Sequence, residues 1–99
     1  MTWEQKLAAF QALTEHSLRM RAPGDWYVEG SVEVKEGCIL AGTYGNGRTP
    51  EAAVEDHWRQ LVEELPREKY LVIRAYRDTR RAVRWNGYMW ADVREQAPA

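Results

Sequence analysis

Basic and aromatic side chains are interspersed near the carboxyl-terminal end of the chain. This basic–aromatic segment contains Arg74, Arg77, Arg80, Arg81, Arg84, Trp85, Tyr88 and Trp90. Such a mixture can bind single-stranded nucleic acid, because arginines contact phosphates while aromatic rings stack on bases. It is also typical of protein–protein contacts, in which these residue types carry much of the binding energy. A third interpretation places the rings in the core and the arginines around the sheet, and the residue types alone leave all three open.

The remaining reactive side chains do not form a pattern typical of catalysis or metal binding. The soft metal ligands His16, Cys38 and His57 are far apart in the sequence, whereas zinc sites usually have closely spaced ligand pairs. No serine or cysteine lies in a nucleophile-elbow motif, and Cys38 is typical of a small core residue. We therefore predict no catalytic residue, no metal and no cofactor, and a partly exposed His57. An enzymatic alternative would need a pocket with perturbed pKa values around Asp56 and His57.

A short glycine-containing segment, residues 45–49, precedes a predicted helix. Amides at the amino terminus of a helix can bind an anion. The sequence has no Walker pattern here, and a single Gly-x-Gly is weak support for phosphate binding. We predict that this segment is a flexible connection between a hairpin and a helix.

The charges are distributed unevenly along the chain. Residues 1–66 contain 6 basic and 11 acidic residues, whereas residues 67–94 contain 8 basic and 3 acidic residues. This asymmetry indicates either a charged partner or two halves of opposite charge that face each other in the fold. The formal net charge of −1 favours neither nucleic acid nor a membrane surface as the partner.

The composition is that of one globular domain. The chain has 99 residues, of which 44% are hydrophobic and 29% charged, which allows a modest core and excludes wholesale disorder. A single cysteine excludes an internal disulfide. The sequence shows neither a signal-peptide pattern nor an apolar run near the roughly 18 residues that cross a bilayer. We predict a cytoplasmic protein without membrane contact, with one compact domain at residues 1–95 and a frayed tail at residues 96–99.

Capping and periodicity predict the elements in the first half of the chain. Thr2 begins a capping box, and apolar residues at helical spacing predict a first helical region that ends at the Pro-Gly pair 23–24. Alternation of apolar and polar residues predicts a strand at residues 26–34, with a bulge at Gly30. Residues 38–44 are predicted to pair with it as a hairpin.

A second helix and three strands are predicted in the second half. Thr49 and Pro50 are typical of a helix start, and a buried stripe follows at Val54, Trp58, Leu61 and Leu65. The nearly continuous apolar run at residues 70–76 predicts a central strand. The order of elements, a helix, two strands, a helix and three strands, predicts an α+β fold with a mostly antiparallel sheet and helices on one face.

The last two strands are predicted to form a tight hairpin. An Asn-Gly pair at residues 86–87 separates the runs 81–85 and 88–93, and this pair strongly favours a two-residue turn. In that register Trp85 would pair with Tyr88, and Val83 with Trp90.

One segment resembles the HicB-like antitoxin domains. Residues 47–54, Gly-Arg-Thr-Pro-Glu-Ala-Ala-Val, with the strand pair before them, resemble the strand-to-helix junction of that family. The chain differs from the family in its preceding helix and its three following strands. Antitoxin function is therefore not carried over.

Most of the chain resembles small uncharacterised phage and prophage proteins. The residues that carry this resemblance are Trp26-Tyr27-Val28, residues 49–54 with Trp58, and residues 84–90, Arg-Trp-Asn-Gly-Tyr-Met-Trp. The resemblance names no activity but implies a bacterial host cytoplasm as the setting. Small phage accessory proteins there often bind and block host proteins, including defence systems, or assist phage DNA metabolism.

Size, charge asymmetry, aromatic content and the lack of a catalytic pattern favour a non-enzymatic protein-binding domain. Together with the phage resemblance, they lead us to predict an inhibitor of a host or defence complex, with a host or phage protein as its partner. The alternative is a single-stranded nucleic-acid-binding protein, against which the isoelectric point near 6.1 counts. Exposed sheet edges and aromatic residues would also permit a homodimer.

Overall fold

The computed structural model describes residues 1–36, 39–74 and 80–93, without the side chains of Ile39, Arg74 and Arg80. The helices are α1, Trp3–Leu13, and α2, Pro50–Trp58, which continues as a π-helical turn, Arg59–Glu63. The strands before α2 are β1, His16–Ala22; β2, Asp25–Gly30; β3, Val32–Glu36; β4, Ile39–Gly42; and β5, Gly45–Gly47. The strands after it are β6, Tyr70–Arg74; β7, Arg80–Trp85; and β8, Trp90–Asp92.

Two threonines set the starts of the helices. The Thr2 side chain accepts a hydrogen bond from a first-turn amide and completes a capping box at α1. The Thr49 side chain likewise accepts from the Ala52 amide at α2, where Pro50 occupies the first turn. Both predicted helix starts are confirmed.

The described strands form two antiparallel sheets. The three-stranded sheet has the order β1-β2-β5, and the five-stranded sheet has the order β4-β3-β6-β7-β8. Each pairing is antiparallel. The α+β class is confirmed, with two sheets in place of the single predicted sheet.

The described residues before α2 contain five strands, whereas two were predicted. Helix α1 ends at Leu13, and β1 occupies residues that the prediction assigned to the helical region. His16, Leu18 and Met20 share one side of β1 because strand residues alternate in direction. The Pro-Gly pair at 23–24 therefore does not end a helix; it forms the turn between β1 and β2.

The predicted strand at residues 26–34 is two strands in different sheets. Strand β2 pairs with β1 and β5, whereas β3 pairs with β4 and β6. The hairpin partner of β3 is confirmed at β4. The segment predicted as a flexible connection contains β5, which pairs with β2 through Val28 and Gly45.

The main core lies between the helices and the five-stranded sheet. Its buried members are Phe10, Leu13, Val32, Trp58, Leu61, Leu71, Ile73 and Val83. The predicted stripe of α2 is buried at Val54, Trp58 and Leu61 and half-buried at Leu65. Strand β6 is confirmed as central, and three consecutive residues of it are buried on both faces of the sheet.

Several predictions lie outside the described residues. Cys38, Arg77 and the predicted tail at residues 96–99 belong to this group. Among the described residues, no helix combines the length and apolar character needed to cross a membrane.

Candidate functional site

The carboxyl-terminal hairpin has a longer loop than the Asn-Gly pair predicts. Trp85 pairs with Trp90, and Val83 pairs with Asp92, so residues 86–89 form the connection. The predicted pairing of Trp85 with Tyr88 is therefore wrong by two residues. The observed register places Trp85 and Trp90 directly opposite each other, and the contact between their rings outweighs the preference for a two-residue turn.

The hairpin tip, residues 86–89, is held in one conformation by its first residue. The Asn86 side-chain oxygen accepts hydrogen bonds from the amides of Tyr88 and Met89, each 2.9 Å long. The Asn86 amide donates to the Met89 carbonyl at 3.0 Å, and Gly87 supplies the left-handed backbone with a φ of 103°. The tip therefore presents Tyr88 and Met89 with exposed fractions of 91% and 60%.

The two tryptophans at the base of the hairpin are structural. Their rings lie 5.1 Å apart edge to face, and Trp58 packs against both from α2. Trp90 Nε1 also donates to the Ala9 carbonyl of α1 at 2.9 Å. The base is thus fixed to both helices, so the hairpin tip extends from a rigid support.

Two arginines of the basic–aromatic segment are engaged within the chain. Arg81 Nε lies 2.7 Å from an Asp92 carboxylate oxygen. Arg84 spans the connection between α2 and β6, where its guanidinium donates to several backbone carbonyls. Its described acceptors are the carbonyls of Leu65, Pro66, Arg67 and Lys69.

The other three arginines of the basic–aromatic segment have no described side chain. Arg77 and the side chains of Arg74 and Arg80 lie outside the description. In the backbone, Arg74 and Arg80 are directly paired across β6 and β7. The hairpin therefore combines core residues, internally engaged arginines and one outward-facing aromatic residue, Tyr88.

His57 is buried, which corrects the prediction of a partly exposed helix residue. Only 1% of it is exposed, because Gly45 and the α1 side of the core pack against that face of α2. Burial lowers its pKa, and burial also lowers the pKa of His16 on β1. Asp56 instead accepts hydrogen bonds from the Asn46 amide and the Gln60 side chain. Helical periodicity could have predicted the burial of His57 from the sequence, because His57 lies one turn after the buried Ala53.

The described residues, 1–36, 39–74 and 80–93, include both histidines and most of the acidic residues of the chain. No group of three or more histidine, cysteine, aspartate or glutamate side chains is arranged to hold an ion in that part of the chain.

The architecture defines an α+β protein with two antiparallel sheets and a rigidly supported hairpin. No family model matches the chain, and comparison with the curated proteins and with the solved structures found no match. The resemblances to HicB-like domains and to phage proteins therefore stay predictions.

Proposed function

We propose that this chain is a non-enzymatic protein-binding domain that contacts its partner through the hairpin tip. The observation that carries the proposal is Tyr88, which is 91% exposed on a loop that three hydrogen bonds hold in place. A loop whose backbone is already ordered loses little conformational freedom on binding, and tyrosine is common among the residues that dominate binding energy.

Met89 extends the contact that Tyr88 begins. The two side chains are neighbours at the tip and together offer an apolar surface with one phenolic hydroxyl. Such a surface fits an apolar pocket with a hydrogen-bond acceptor at its rim. The phage resemblance adds support for a bacterial host protein, such as a component of a defence complex, as the partner that the chain inhibits.

Single-stranded nucleic acid is the alternative partner. It would need arginines free to contact phosphates and rings free to stack on bases. Arg81 and Arg84 are engaged with Asp92 and with backbone carbonyls, and Trp85 and Trp90 pack on Trp58, which leaves Tyr88 as the accessible ring of the carboxyl-terminal hairpin. These contacts favour the protein partner.

The test compares proteins captured from nuclease-treated bacterial lysate by the wild-type chain and by variants. Tyr88→Ala and Met89→Ala each remove one contact of the tip, and Met20→Ala is the control because Met20 is similarly exposed on β1. We expect a protein that the wild type and the control retain and the Tyr88 variant loses. With that protein purified, calorimetry should show an affinity at least about tenfold weaker for Tyr88→Ala.

Two outcomes would overturn the proposal. Capture that is equal for the wild type and both tip variants would place the contact elsewhere. Binding of fluorescent single-stranded oligonucleotides that weakens steeply with salt, without any protein capture, would favour nucleic acid instead.

A further inference from the structure

Both asparagines of the chain, Asn46 and Asn86, are followed by glycine. An asparagine in this position can react with its own backbone, because glycine has no side chain that hinders its amide nitrogen. The glycine nitrogen attacks the carbonyl carbon of the asparagine side chain, and the surrounding structure determines how readily it can do so. Here the same dipeptide occurs in a hairpin loop and in a strand, so the two environments can be compared within one molecule.

At the hairpin tip, the Asn86 side chain is folded over the backbone of the loop. Its oxygen accepts hydrogen bonds from the amides of Tyr88 and Met89, both at 2.9 Å. The carbonyl carbon that carries this oxygen is therefore held beside the loop backbone, next to Gly87. Both Asn86 and Gly87 are exposed, and the Gly87 amide makes no hydrogen bond within the described residues. Its nitrogen is therefore free to lose a proton to solvent and to attack.

The two amide donors also lie where negative charge develops during this reaction. When the nitrogen attacks, the side-chain carbonyl oxygen of Asn86 takes up the electron pair of its double bond and becomes an oxyanion. Preorganised N–H donors stabilise an oxyanion more strongly than a neutral carbonyl, as in the oxyanion holes of acyl-transfer enzymes. The amides of Tyr88 and Met89 therefore stabilise the transition state more than the starting asparagine.

The second Asn-Gly pair is held in a strand that opposes the same reaction. Asn46 and Gly47 belong to β5, which is paired with β2. The Asn46 side chain is engaged at both ends, because its oxygen accepts from Arg21 and its nitrogen donates to the Tyr44 carbonyl. A Cβ atom on Gly47 would lie 2.5 Å from the Ala52 Cβ, so this backbone is also packed against α2. Closing a five-membered ring here would turn the backbone out of the strand and break these contacts.

We propose that Asn86 is a site of spontaneous chemical modification and that the strand environment protects Asn46 from it. The Gly87 nitrogen gives its proton to hydroxide from the solvent and forms a bond to the side-chain carbonyl carbon of Asn86. The bond from that carbon to the side-chain nitrogen breaks, and the nitrogen leaves as ammonia after taking a proton from water. Water then opens the resulting succinimide ring at either carbonyl, which gives aspartate or isoaspartate at position 86. No step involves a partner, so this proposal is independent of the protein-binding function.

The two products differ in their effect on the hairpin tip. Aspartate retains an oxygen in the position of the original acceptor, so the amides of Tyr88 and Met89 keep their hydrogen bonds. Isoaspartate carries the main chain through the former side chain, which adds one carbon to the backbone of the loop and leaves the remaining carboxylate on Cα. Isoaspartate therefore releases the tip from its single conformation.

The test follows the reaction at both asparagines in the folded and in the denatured full chain. Samples are incubated at neutral pH in buffer or in concentrated guanidinium chloride, and mass spectrometry of tryptic peptides measures the conversion of amide to acid. Trypsin cleaves after Arg48 and Arg84, so the two asparagines lie in separate peptides. In the denatured chain we expect similar rates at both, since both precede glycine. In the folded chain we expect Asn86 to react at least about tenfold faster than Asn46, with isoaspartate among its products.

A variant of the glycine tests whether its nitrogen is the attacking group. Gly87→Ala places a methyl group beside that nitrogen and should slow the conversion of Asn86 by at least about tenfold, with the rate at Asn46 unchanged. Because alanine also strains the left-handed backbone at this position, the same comparison is made in the denatured chain, where that strain is absent.

Three outcomes would count against the proposal. Equal rates at Asn46 and Asn86 in the folded wild type, or conversion of Asn86 to aspartate without isoaspartate, would overturn it. An aged sample that contains isoaspartate at position 86 and keeps the ¹⁵N heteronuclear NOE values of fresh protein at Tyr88 and Met89 would contradict the release of the tip.

Discussion

The imidazole rings of His16 and His57 lie 5.6 Å apart in the buried region between α1, β1 and α2. The Phe10 ring packs against both, with ring centres 5.0 Å from His16 and 4.7 Å from His57. His16 Nδ1 lies 3.0 Å from the Thr14 carbonyl, whereas both nitrogens of His57 lack a hydrogen-bond partner among the described residues. An apolar ring packed against two buried imidazoles favours their neutral forms.

The histidine pair should make the fold sensitive to acid. Burial, and next the charge that His16 would carry, lower the pKa of His57 to about 4, while Asp56 opposes them. Because the unfolded chain takes up the proton near pH 6.5, the contribution of His57 is complete above that pH and declines as the pH falls towards 4. The full decline is about 3 kcal/mol.

Denaturant unfolding between pH 7.5 and 4.5, followed by tryptophan fluorescence, measures this dependence. His57→Leu keeps an apolar side chain of similar size and removes the titrating group, so the free energy of unfolding should depend less steeply on pH. A dependence as steep in His57→Leu as in the wild type would show that other groups cause it.

Glycine at position 45 allows β5 to approach α2. A Cβ atom there would lie 2.3 Å from the Ala53 carbonyl oxygen and 2.5 Å from the His57 Cβ. We expect Gly45→Ala to lower the free energy of unfolding by about 1–3 kcal/mol, because the strand must move away from the helix. Gly42→Ala is the control, since nothing lies within 4 Å of its added methyl group. Thermal unfolding followed by circular dichroism compares the two variants. An equal loss of unfolding free energy in both would refute close packing at position 45.

Local signals in the sequence were sufficient for the helix starts and for the central strand. Thr2 and Thr49 act through hydrogen bonds to nearby amides, and the run in β6 is apolar enough for burial on both faces. These features depend on neighbouring residues, so the sequence displays them directly.

The change of sheet between β2 and β3 has no such local signal. Val28 and Val32 are both buried and keep the same alternation, although they belong to different sheets. What separates the strands is their pairing, since β2 pairs with β1 and β5, whereas β3 pairs with β4 and β6. The change of sheet therefore could not be predicted, because it depends on the partners β5 and β6, which are distant in the sequence.

Arg84 should be important for stability and not for binding. Its guanidinium donates to the Pro66 carbonyl at 2.7 Å and to neighbouring carbonyls between α2 and β6. We expect Arg84→Ala to cost about 1–3 kcal/mol of unfolding free energy, because several acceptors lose a charged donor. Arg84→Lys should recover only part of it, since an ammonium lacks the planar fork. The control is Arg19→Ala, because Arg19 is exposed and has no described partner. Denaturant unfolding measures the free energy of unfolding of both alanine variants. Equal values for the two would contradict a stabilising role for Arg84.

Asn86 should control the order of the hairpin tip without contacting the partner. Asn86→Ala removes the acceptor for the Tyr88 and Met89 amides, whereas Asn86→Asp retains an oxygen in that position. We expect lower ¹⁵N heteronuclear NOE values at Tyr88 and Met89 in the alanine variant and wild-type values in the aspartate variant.

The same pair of variants tests whether order at the tip matters for binding. If the proposed partner selects an ordered Tyr88, Asn86→Ala should weaken its affinity by roughly the ordering cost, which corresponds to about fivefold, although Tyr88 itself is unchanged. Asn86→Asp should bind like the wild type. An alanine variant that is disordered at the tip yet binds with full affinity would show that the tyrosine alone, and not its preordered loop, determines recognition.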